Sequence, residues 1–155
     1  MAALAERLGE VYGVVFSHPQ EKTLYLAGDT VWNEMVAQSL RQHEPNVIIL
    51  NCGDAQVPGL GSIIMGKEDV RAVYQAAPQA TLIASHMEAV NHAVLSRKEL
   101  RDYLAEHGMA DRVRATRSRC DGWGRASAWP FGFQLPAHIM VVHRAKRRPA
   151  SCPYR

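Results

Sequence analysis

Side chains that can bind metal ions or transfer protons stand directly after three short apolar runs of this sequence. Because the carboxyl ends of parallel strands meet at one edge of a layered α/β sheet, these side chains are expected to lie close together. Carboxylate and imidazole groups bind zinc, manganese or iron, and the pair also suits general acid–base catalysis. The runs are residues 23–27, 47–50 and 81–84, and the polar residues after them are Asp29, Asn51 with Asp54, and His86 with Glu88, Asn91 and His92.

Taken one at a time, these residues have simpler roles that compete with metal binding. An Asp after a strand is more often the N-cap of the next helix than a metal ligand, so either Asp29 or Thr30 is expected to cap a helix that begins at Val31. A histidine in a loop is more often hydrated or hydrogen-bonded than metal-bound. For Asp54 we expect a role in a turn, and for His92 a role in the loop.

The order of the predicted elements is that of a layered α/β fold. Residues 11–17 and 23–27 have the β-branched and aromatic composition of strands and predict a hairpin. In residues 31–43 the apolar positions recur at spacings of three and four, which predicts an amphipathic helix. The other predicted elements are strands at 47–50 and 81–84, a helix at 68–77, and a helix opened by a capping box at 96–99 that runs to about His107. The order ββαβαβα predicts an α/β sandwich, with the apolar run 47–50 as a strand covered on both faces.

Length and composition bound the class of protein. The chain has 155 residues, 47% hydrophobic and 21% charged, which is typical of one globular domain. No apolar run approaches the roughly 18 residues of a membrane-spanning helix, and the N-terminus lacks the pattern of a secretory signal. We therefore expect a cytoplasmic protein without a membrane partner. The three cysteines form no CxxC pair, so we expect reduced thiols, with Cys52 buried beside a strand.

The charge of the chain changes abruptly near residue 112. Residues 1–111 hold 8 Lys or Arg and 14 Asp or Glu, a net charge of −6, whereas residues 112–155 hold 10 Lys or Arg and one Asp, a net charge of +9. This change, together with the loss of periodic pattern, predicts a boundary after Val113. Residues 1–113 are expected to fold, and residues 114–155 are expected to be an irregular, Arg-rich tail that is disordered or non-native, for example an out-of-frame translation.

Three segments carry a resemblance to a known family. They are Tyr-Leu-Ala-Gly-Asp-Thr at 25–30, Val-Ile-Ile-Leu-Asn at 47–51, and Ala-Ser-His-Met-Glu-Ala-Val-Asn-His at 84–92. In order and spacing they resemble the C-terminal half of a metallo-β-lactamase-fold metal-dependent hydrolase, within the branch of the L-ascorbate-6-phosphate lactonase-like proteins. The resemblance covers residues 9–111 and implies an αββα sandwich with a metal site at one edge.

The resemblance implies metal-binding roles for two residues. Asp29 matches the bridging carboxylate of the family, and His86 matches its last metal-binding histidine. The implied cofactor is a divalent metal, zinc or manganese, which activates water for attack on a small-molecule ester, lactone or phosphate-type substrate. Glu88 and Asn91 are candidates for the groups that orient these ligands.

The sequence also departs from the family. It lacks the His-x-His-x-Asp-His signature that supplies most of the family's metal ligands. We therefore expect the C-terminal half of the fold only, with weak metal binding and no activity by itself. The missing half would leave one apolar sheet face uncovered, which predicts self-association or pairing with another chain.

Two other functions compete with that of a hydrolase fragment. The first is a non-catalytic fragment or partner-binding module. The second is nucleic-acid binding through the basic tail, where arginines alternate with Trp123 and Trp129 in a pattern that suits single strands. Because an Arg-rich tail is more often a hydrated chain end than a specific reader, nucleic acid is the least favoured partner.

Overall fold

A computed structural model describes residues 10–59, 61–88, 91–116 and 138–146 of the chain. The described residues form eight strands and three helices. None of these three helices is long and apolar enough to cross a membrane. The strands are β1 (Glu10–Ser17), β2 (Leu24–Leu26), β3 (Val47–Asn51), β4 (Gln56–Val57), β5 (Gly61–Ser62), β6 (Thr81–Ser85), β7 (Val113–Ala115) and β8 (His138–Lys146). The helices are α1 (Glu34–His43), α2 (Lys67–Ala76) and α3 (Arg97–Glu106).

Six of the strands form one mixed sheet in the order β7-β6-β3-β2-β1-β8, and β4 and β5 form a separate small hairpin. Strands β2, β3, β6 and β7 are parallel, whereas β1 pairs antiparallel with both β2 and β8. Because the parallel strands follow one another in a single direction across the sheet, right-handed crossovers place all three helices on the same face. The predicted α/β class is confirmed in this mixed sheet.

The face of the sheet that carries the helices forms the core. Its strand side chains are fully buried and belong to one apolar cluster with the inner faces of the helices. The strands contribute Val15, Tyr25, Ile48, Leu50, Leu82 and Ala84, and the helices contribute Val36, Leu40, Val70, Val73, Leu100 and Leu104. This packing holds the carboxyl ends of β2, β3 and β6 side by side.

The opposite face of the sheet is also apolar, but its side chains are only half-buried. Burial alternates along β3, and all described helices pack on its other face, against Ile48 and Leu50. Within the described residues, the prediction that this strand is covered on both faces is therefore wrong. Register aligns these side chains across the strands. We call them the second sheet face: Val14, Phe16, Leu24, Leu26, Val47, Ile49 and Ile83.

Helix α1 begins three residues later than predicted, and its N-cap is Asn33. The Asn33 Oδ1 atom accepts hydrogen bonds from the amides of Met35, at 2.9 Å, and Val36, at 3.1 Å. The prediction that Asp29 or Thr30 caps this helix is therefore wrong. The Asn33 amide group also donates to Thr30 Oγ1 over 3.0 Å, so Asn33 closes the turn that leads into the helix.

Helix α3 begins as predicted, at a capping box. The Ser96 Oγ atom accepts from the amide of Glu99 over 3.2 Å, and Glu99 Oε2 accepts from the amide of Ser96 over 3.0 Å. Gly108, with a φ of +66°, follows the helix as expected of a C-terminal stop.

Arg112 joins the C-terminal end of α2 to the start of β7. Its guanidinium group donates to the carbonyl oxygens of Ala77, at 3.1 Å, Ala80, at 3.0 Å, and Tyr74, at 3.4 Å. The same group lies 3.7 Å from the centre of the Tyr74 ring. Arg112 thus ties the end of α2 and the loop that follows it to the start of β7.

The predicted tail contains regular structure where the structure describes it. Strand β7 crosses the predicted boundary at Val113, and β8 pairs along the whole length of β1. The strand β8 was not expected, because its pairing partner lies more than a hundred residues earlier and leaves no local pattern. Residues 117–137 and 147–155, including Trp123 and Trp129, lie outside the described residues, and the division of the chain after Val113 stays a prediction.

Candidate metal centre

The turn after β2 begins the site at the carboxyl edge of the sheet. The amide of Ala27 still belongs to the β2–β3 ladder and donates to the carbonyl of Ile49 over 3.0 Å. Gly28 then adopts a φ of +72°, and a Cβ atom there would lie 2.7 Å from the carbonyl oxygen of Tyr12. Because only glycine fits this contact, Gly28 fixes the point at which the strand ends and Asp29 begins the turn.

The carboxylate of Asp29 is oriented by Asn51, the last residue of β3. Asn51 Nδ2 donates to Asp29 Oδ1 over 2.7 Å, and both residues are half-buried. Since Asn33 caps α1, the Asp29 carboxylate is not used as a helix cap. A hydrogen bond of this kind to one oxygen is how proteins orient carboxylates that bind metals.

His86 lies on the other side of Asn51 at the same edge. Asn51 and Ser85 are register partners in β3 and β6, and His86 directly follows Ser85. Strands β2 and β6, which precede Asp29 and His86, both pair with β3, so their axes are about 10 Å apart at a strand spacing of about 4.8 Å. The His86 side chain is exposed at this edge.

The turn that carries His86 is strained. His86 has a φ of +60° and Glu88 a φ of +56°, although neither is glycine. Left-handed backbone in such residues costs about 1–3 kcal/mol each and is concentrated at functional sites. Met87, which lies between them, is 1% exposed and anchors the turn in the core. A Cβ atom on Gly53 would lie 2.6 Å from the His86 carbonyl oxygen, so the turn rests directly on this glycine.

Asp54 lies in the turn after β3, in the role expected of it. Its backbone has a φ of +48°. Its carboxylate accepts hydrogen bonds from Ser62 Oγ, at 2.6 Å, and from Gln56 Nε2, at 3.4 Å. These contacts tie the turn to the β4–β5 hairpin.

The remaining predicted candidates, Glu88, Asn91 and His92, belong to the loop between β6 and α3. Glu88 forms an ion pair with Arg97. The carbonyl of His92 accepts from the amide of Gln56 over 3.0 Å, and its ring nitrogen lies 3.4 Å from Asn91 Oδ1. The structure therefore shows loop contacts for all three.

A carboxylate outside the predicted candidates, Asp69, is half-buried next to this edge. It accepts from the amide of Gly66 over 3.0 Å and from the backbone of Trp32. Burial raises the pKa of Asp69, and the neighbouring carboxylate of Asp54 raises it further. Asp69 thereby fastens the turn before α1 to the first turn of α2.

Cys52, the residue after Asn51, is a buried structural thiol. Its Sγ atom lies 3.6 Å from the carbonyl oxygen of Ser85, and burial raises its pKa to about 12. A thiol of this kind is protonated at neutral pH and is a poor nucleophile. The predicted burial of Cys52 beside a strand is confirmed.

The raised pKa of Cys52 makes the stability of the fold fall at alkaline pH. The unfolded thiol has a pKa of about 8.5, so its contribution is complete below that pH and is lost as the pH rises toward the folded value. Between about pH 8.5 and 10 we expect the free energy of unfolding to fall by about 1.5 kcal/mol on this account. Denaturant unfolding of the wild type and Cys52→Ala measures it: the variant should show the smaller decrease, and equal decreases would contradict the expectation.

The donors at this edge are of the right type for a metal but too few. Asp29 and His86 offer one carboxylate and one imidazole, whereas catalytic zinc usually has three protein ligands. Within the described residues there is no group of three or more His, Cys, Asp or Glu side chains that could hold a metal ion. The described part of the chain therefore does not form a complete catalytic metal site.

Comparisons with known proteins relate the chain to hydrolases. The chain is 49% identical over 110 residues to the UPF0173 protein YddR of Bacillus subtilis, an alignment that covers 71% of the chain. The structure of an isothiocyanate hydrolase from Delia radicum gut bacteria is 44% identical, with a TM-score of 0.73 over 76% of this chain. A possible metal-dependent hydrolase from Veillonella parvula is 42% identical, with a TM-score of 0.66 over 68% of this chain. These similarities support a metallo-β-lactamase-like hydrolase family.

The chain spans less than half the length of each of these proteins. It covers 43% of the UPF0173 protein, 46% of the isothiocyanate hydrolase and 40% of the Veillonella protein. No protein-family model matches the chain.

Two residues with positions in this site were not predicted in their observed roles. Asn51 was included among the strand-end residues, but its bond to Asp29 depends on the β2–β3 register, which the sequence does not show. Arg97 was part of the capping-box segment only, and its contact with Glu88 nine residues earlier depends on the path of the loop. A polar residue at the end of an apolar strand is the one signal that could have marked Asn51.

Proposed function

We propose that this chain is the C-terminal half of a metal-dependent hydrolase with the αββα metallo-β-lactamase fold. The observation that supports it most strongly is the Asp29 carboxylate, oriented by Asn51 on the same sheet edge as the strained turn of His86. A carboxylate that does not cap a helix and a histidine in a strained turn are both suited to bind a metal ion. The similarity to an isothiocyanate hydrolase and to a possible metal-dependent hydrolase, over two thirds or more of the chain, supports the hydrolase class.

In this proposal Asp29 and His86 supply two metal ligands, and the other ligands come from residues that this chain does not contain. A bound divalent ion, zinc or manganese, would lower the pKa of a water molecule and polarise the substrate. Asn51 holds the Asp29 carboxylate in one orientation, and the turn around His86 fixes the position of the imidazole. Alone, the chain would bind metal weakly and would not be an efficient catalyst.

Two substrate classes follow from different observations. The resemblance of the motifs to the L-ascorbate-6-phosphate lactonase-like branch favours an ester, lactone or phosphate-type substrate. The 44% identity to an isothiocyanate hydrolase favours an isothiocyanate, whose central carbon is electrophilic. Water adds to that carbon, and the bond between this carbon and the nitrogen breaks. Both protons of the water end on the nitrogen, so the products are an amine and carbonyl sulfide.

A chimera tests the proposal in a complete fold. In the isothiocyanate hydrolase, the segment that this chain matches is replaced by the matching residues of this chain. We expect the purified chimera to hold zinc or manganese and to hydrolyse at least one compound of a panel of isothiocyanates, lactones, carboxylic esters and phosphate esters. Rates across the panel identify the substrate class that the residues of this chain support.

The parent enzyme with its own segment is the control for folding and metal content. A chimera that folds with the circular dichroism of the parent, yet holds no metal and hydrolyses nothing, would contradict the proposal. A chimera that holds metal but hydrolyses nothing would favour the non-catalytic, partner-binding alternative.

The second sheet face supports the two-sheet architecture in this proposal. Val14, Leu26, Ile49 and Ile83 form one apolar row across four strands, and all four are half-buried. An apolar sheet face of this extent is typically covered by a second layer. In the αββα arrangement that layer is the sheet of the N-terminal half.

If the second sheet face is not covered by another sheet, the chain should self-associate through it. Analytical ultracentrifugation of the 155-residue chain should show dimers or larger species, and Ile49→Lys at the centre of the face should return it to a monomer. Gln75→Lys adds the same charge at an exposed position of α2, away from this face, and is the control that should leave association unchanged. A wild-type chain that is monomeric at all concentrations would contradict this expectation.

A further inference from the structure

The residues directly after His86 are held by one residue, Arg97. Its backbone amide donates to Glu88 Oε1 over 3.0 Å, and its Nη1 atom donates to Glu88 Oε2. Its Nη2 atom donates to the carbonyl oxygen of Met87 over 3.2 Å. One residue at the start of α3 therefore contacts both residues that follow His86 in the strained turn.

These contacts differ from those of an ordinary surface ion pair. The Arg97 side chain is 17% exposed and Glu88 is 42% exposed, whereas both partners of the Arg41–Glu34 pair on α1 are more than 60% exposed. Surface pairs of the latter kind contribute little because water competes with them. The planar guanidinium group also binds two acceptors at fixed geometry, which a lysine cannot do.

The turn needs such contacts because its own sequence does not favour its conformation. His86 and Glu88 both have left-handed backbone without being glycine. Gly53 packs against the turn at the carbonyl of His86, and the amide of Leu95 donates to the Gly53 carbonyl over 3.1 Å. Arg97 supplies the hydrogen bonds on the other side, toward α3.

We propose that Arg97, through Glu88 and the Met87 carbonyl, is a positioning residue that holds His86 in its metal-binding position. This inference rests on the proposed role of His86 as a metal ligand. Arg97 acts on the backbone of the turn and does not touch the metal or the substrate. Its loss lets the turn relax toward ordinary backbone angles, which moves the imidazole away from Asp29.

The test uses the 155-residue chain, NMR spectroscopy and Mn²⁺ alone as the probe. Without metal, the ¹³Cα shifts of His86 and Glu88 report the left-handed backbone, and they should change in Arg97→Met and in Glu88→Ala. On titration, the Mn²⁺ concentration that broadens the amide signal of His86 by half should rise about tenfold in Arg97→Met, as is usual when groups that orient metal ligands are removed. Arg97→Lys should behave like Arg97→Met.

Arg112→Met is the matched control, because Arg112 is also partly buried and also binds backbone carbonyls, but at the far end of α2. It should lower the melting temperature without changing the His86 shifts or the Mn²⁺ midpoint. Glu88→Ala removes the carboxylate that accepts the hydrogen bonds of Arg97. Because Glu88 is exposed, this variant replaces Arg97→Met in the test if Arg97→Met does not fold.

Three outcomes would overturn the inference. Unchanged His86 and Glu88 shifts in Arg97→Met would show that Arg97 does not hold the turn. Changed shifts with an unchanged Mn²⁺ midpoint, in a chain whose midpoint rises in His86→Ala, would show that the turn does not control metal binding. A midpoint that His86→Ala also leaves unchanged would contradict the proposed function itself, so the two failures are distinguishable.

Discussion

Replacing Asp29 or His86 by alanine is expected to remove the metal from the chimera with the isothiocyanate hydrolase. Each substitution deletes a ligand, and even residues that only orient ligands change metal affinity about 10–100-fold, so the loss should exceed about 100-fold. Competition with a chelator of known affinity measures the change for zinc and manganese. Hydrolysis should fall with metal occupancy, because in the proposed function the bound metal activates the water.

Asp54→Ala and His92→Ala are the matched controls for this prediction. They remove the same two side-chain types from neighbouring loops, where the structure shows contacts to Ser62, Gln56 and Asn91. We expect both variants to keep metal affinity within about threefold of the unsubstituted chimera. Equal losses in the variants and the controls would mean that the loops, and not the two proposed ligands, determine metal binding.

Replacing Gly53 by alanine is expected to destabilise the 155-residue chain strongly. The new Cβ atom would lie 2.6 Å from the carbonyl oxygen of His86 and 3.2 Å from the Cβ atom of Ala93. Backbone cannot yield as a flexible side chain does, so we expect a loss of about 3 kcal/mol in the free energy of unfolding. Denaturant unfolding measures the loss, and the ¹³Cα shift of His86 should change in the folded fraction.

Gly59→Ala separates this clash from the general cost of losing a glycine. Gly59 has a φ of +79°, and a Cβ atom there meets nothing within 4 Å. We expect it to cost about 1 kcal/mol through backbone strain alone. A Gly53→Ala variant as stable as Gly59→Ala would show that the turn of His86 does not rest on Gly53.

The sequence predicts elements well where the signal is local. The capping box at Ser96 and Glu99 identifies the start of α3, and both of its reciprocal bonds are present. The apolar runs after Thr23, Asn46 and Ala80 become β2, β3 and β6, because short β-branched stretches between turns have few alternatives. The start of α1 was placed too early, because Thr30 and Asn33 are both good caps and only the bonds of Asn33 decide between them.

Features that depend on contacts between distant segments were not predictable in this way. Strand β8 is defined by its pairing with β1, and the bond from Asn51 to Asp29 by the register of two strands. The positions of Asp29 and His86 at one edge followed from the rule that parallel strand ends converge. Their proposed identity as ligands came from the resemblance, since a carboxylate and a histidine after two strands have many other uses.

The most direct test of Asp29 and His86 as metal ligands is a Mn²⁺ titration of the 155-residue chain, followed through its ¹H–¹⁵N spectrum. Bound Mn²⁺ is paramagnetic and broadens the signals of nearby nuclei, so the spectrum locates even a weak site, as expected for two ligands. If Asp29 and His86 bind the metal, the amide signals of Asp29, Asn51 and His86 should broaden first and together, and Asp29→Ala should abolish this effect. Broadening that begins at Asp54 and Asp69, or that spares His86 while Asp29 is affected, would contradict it.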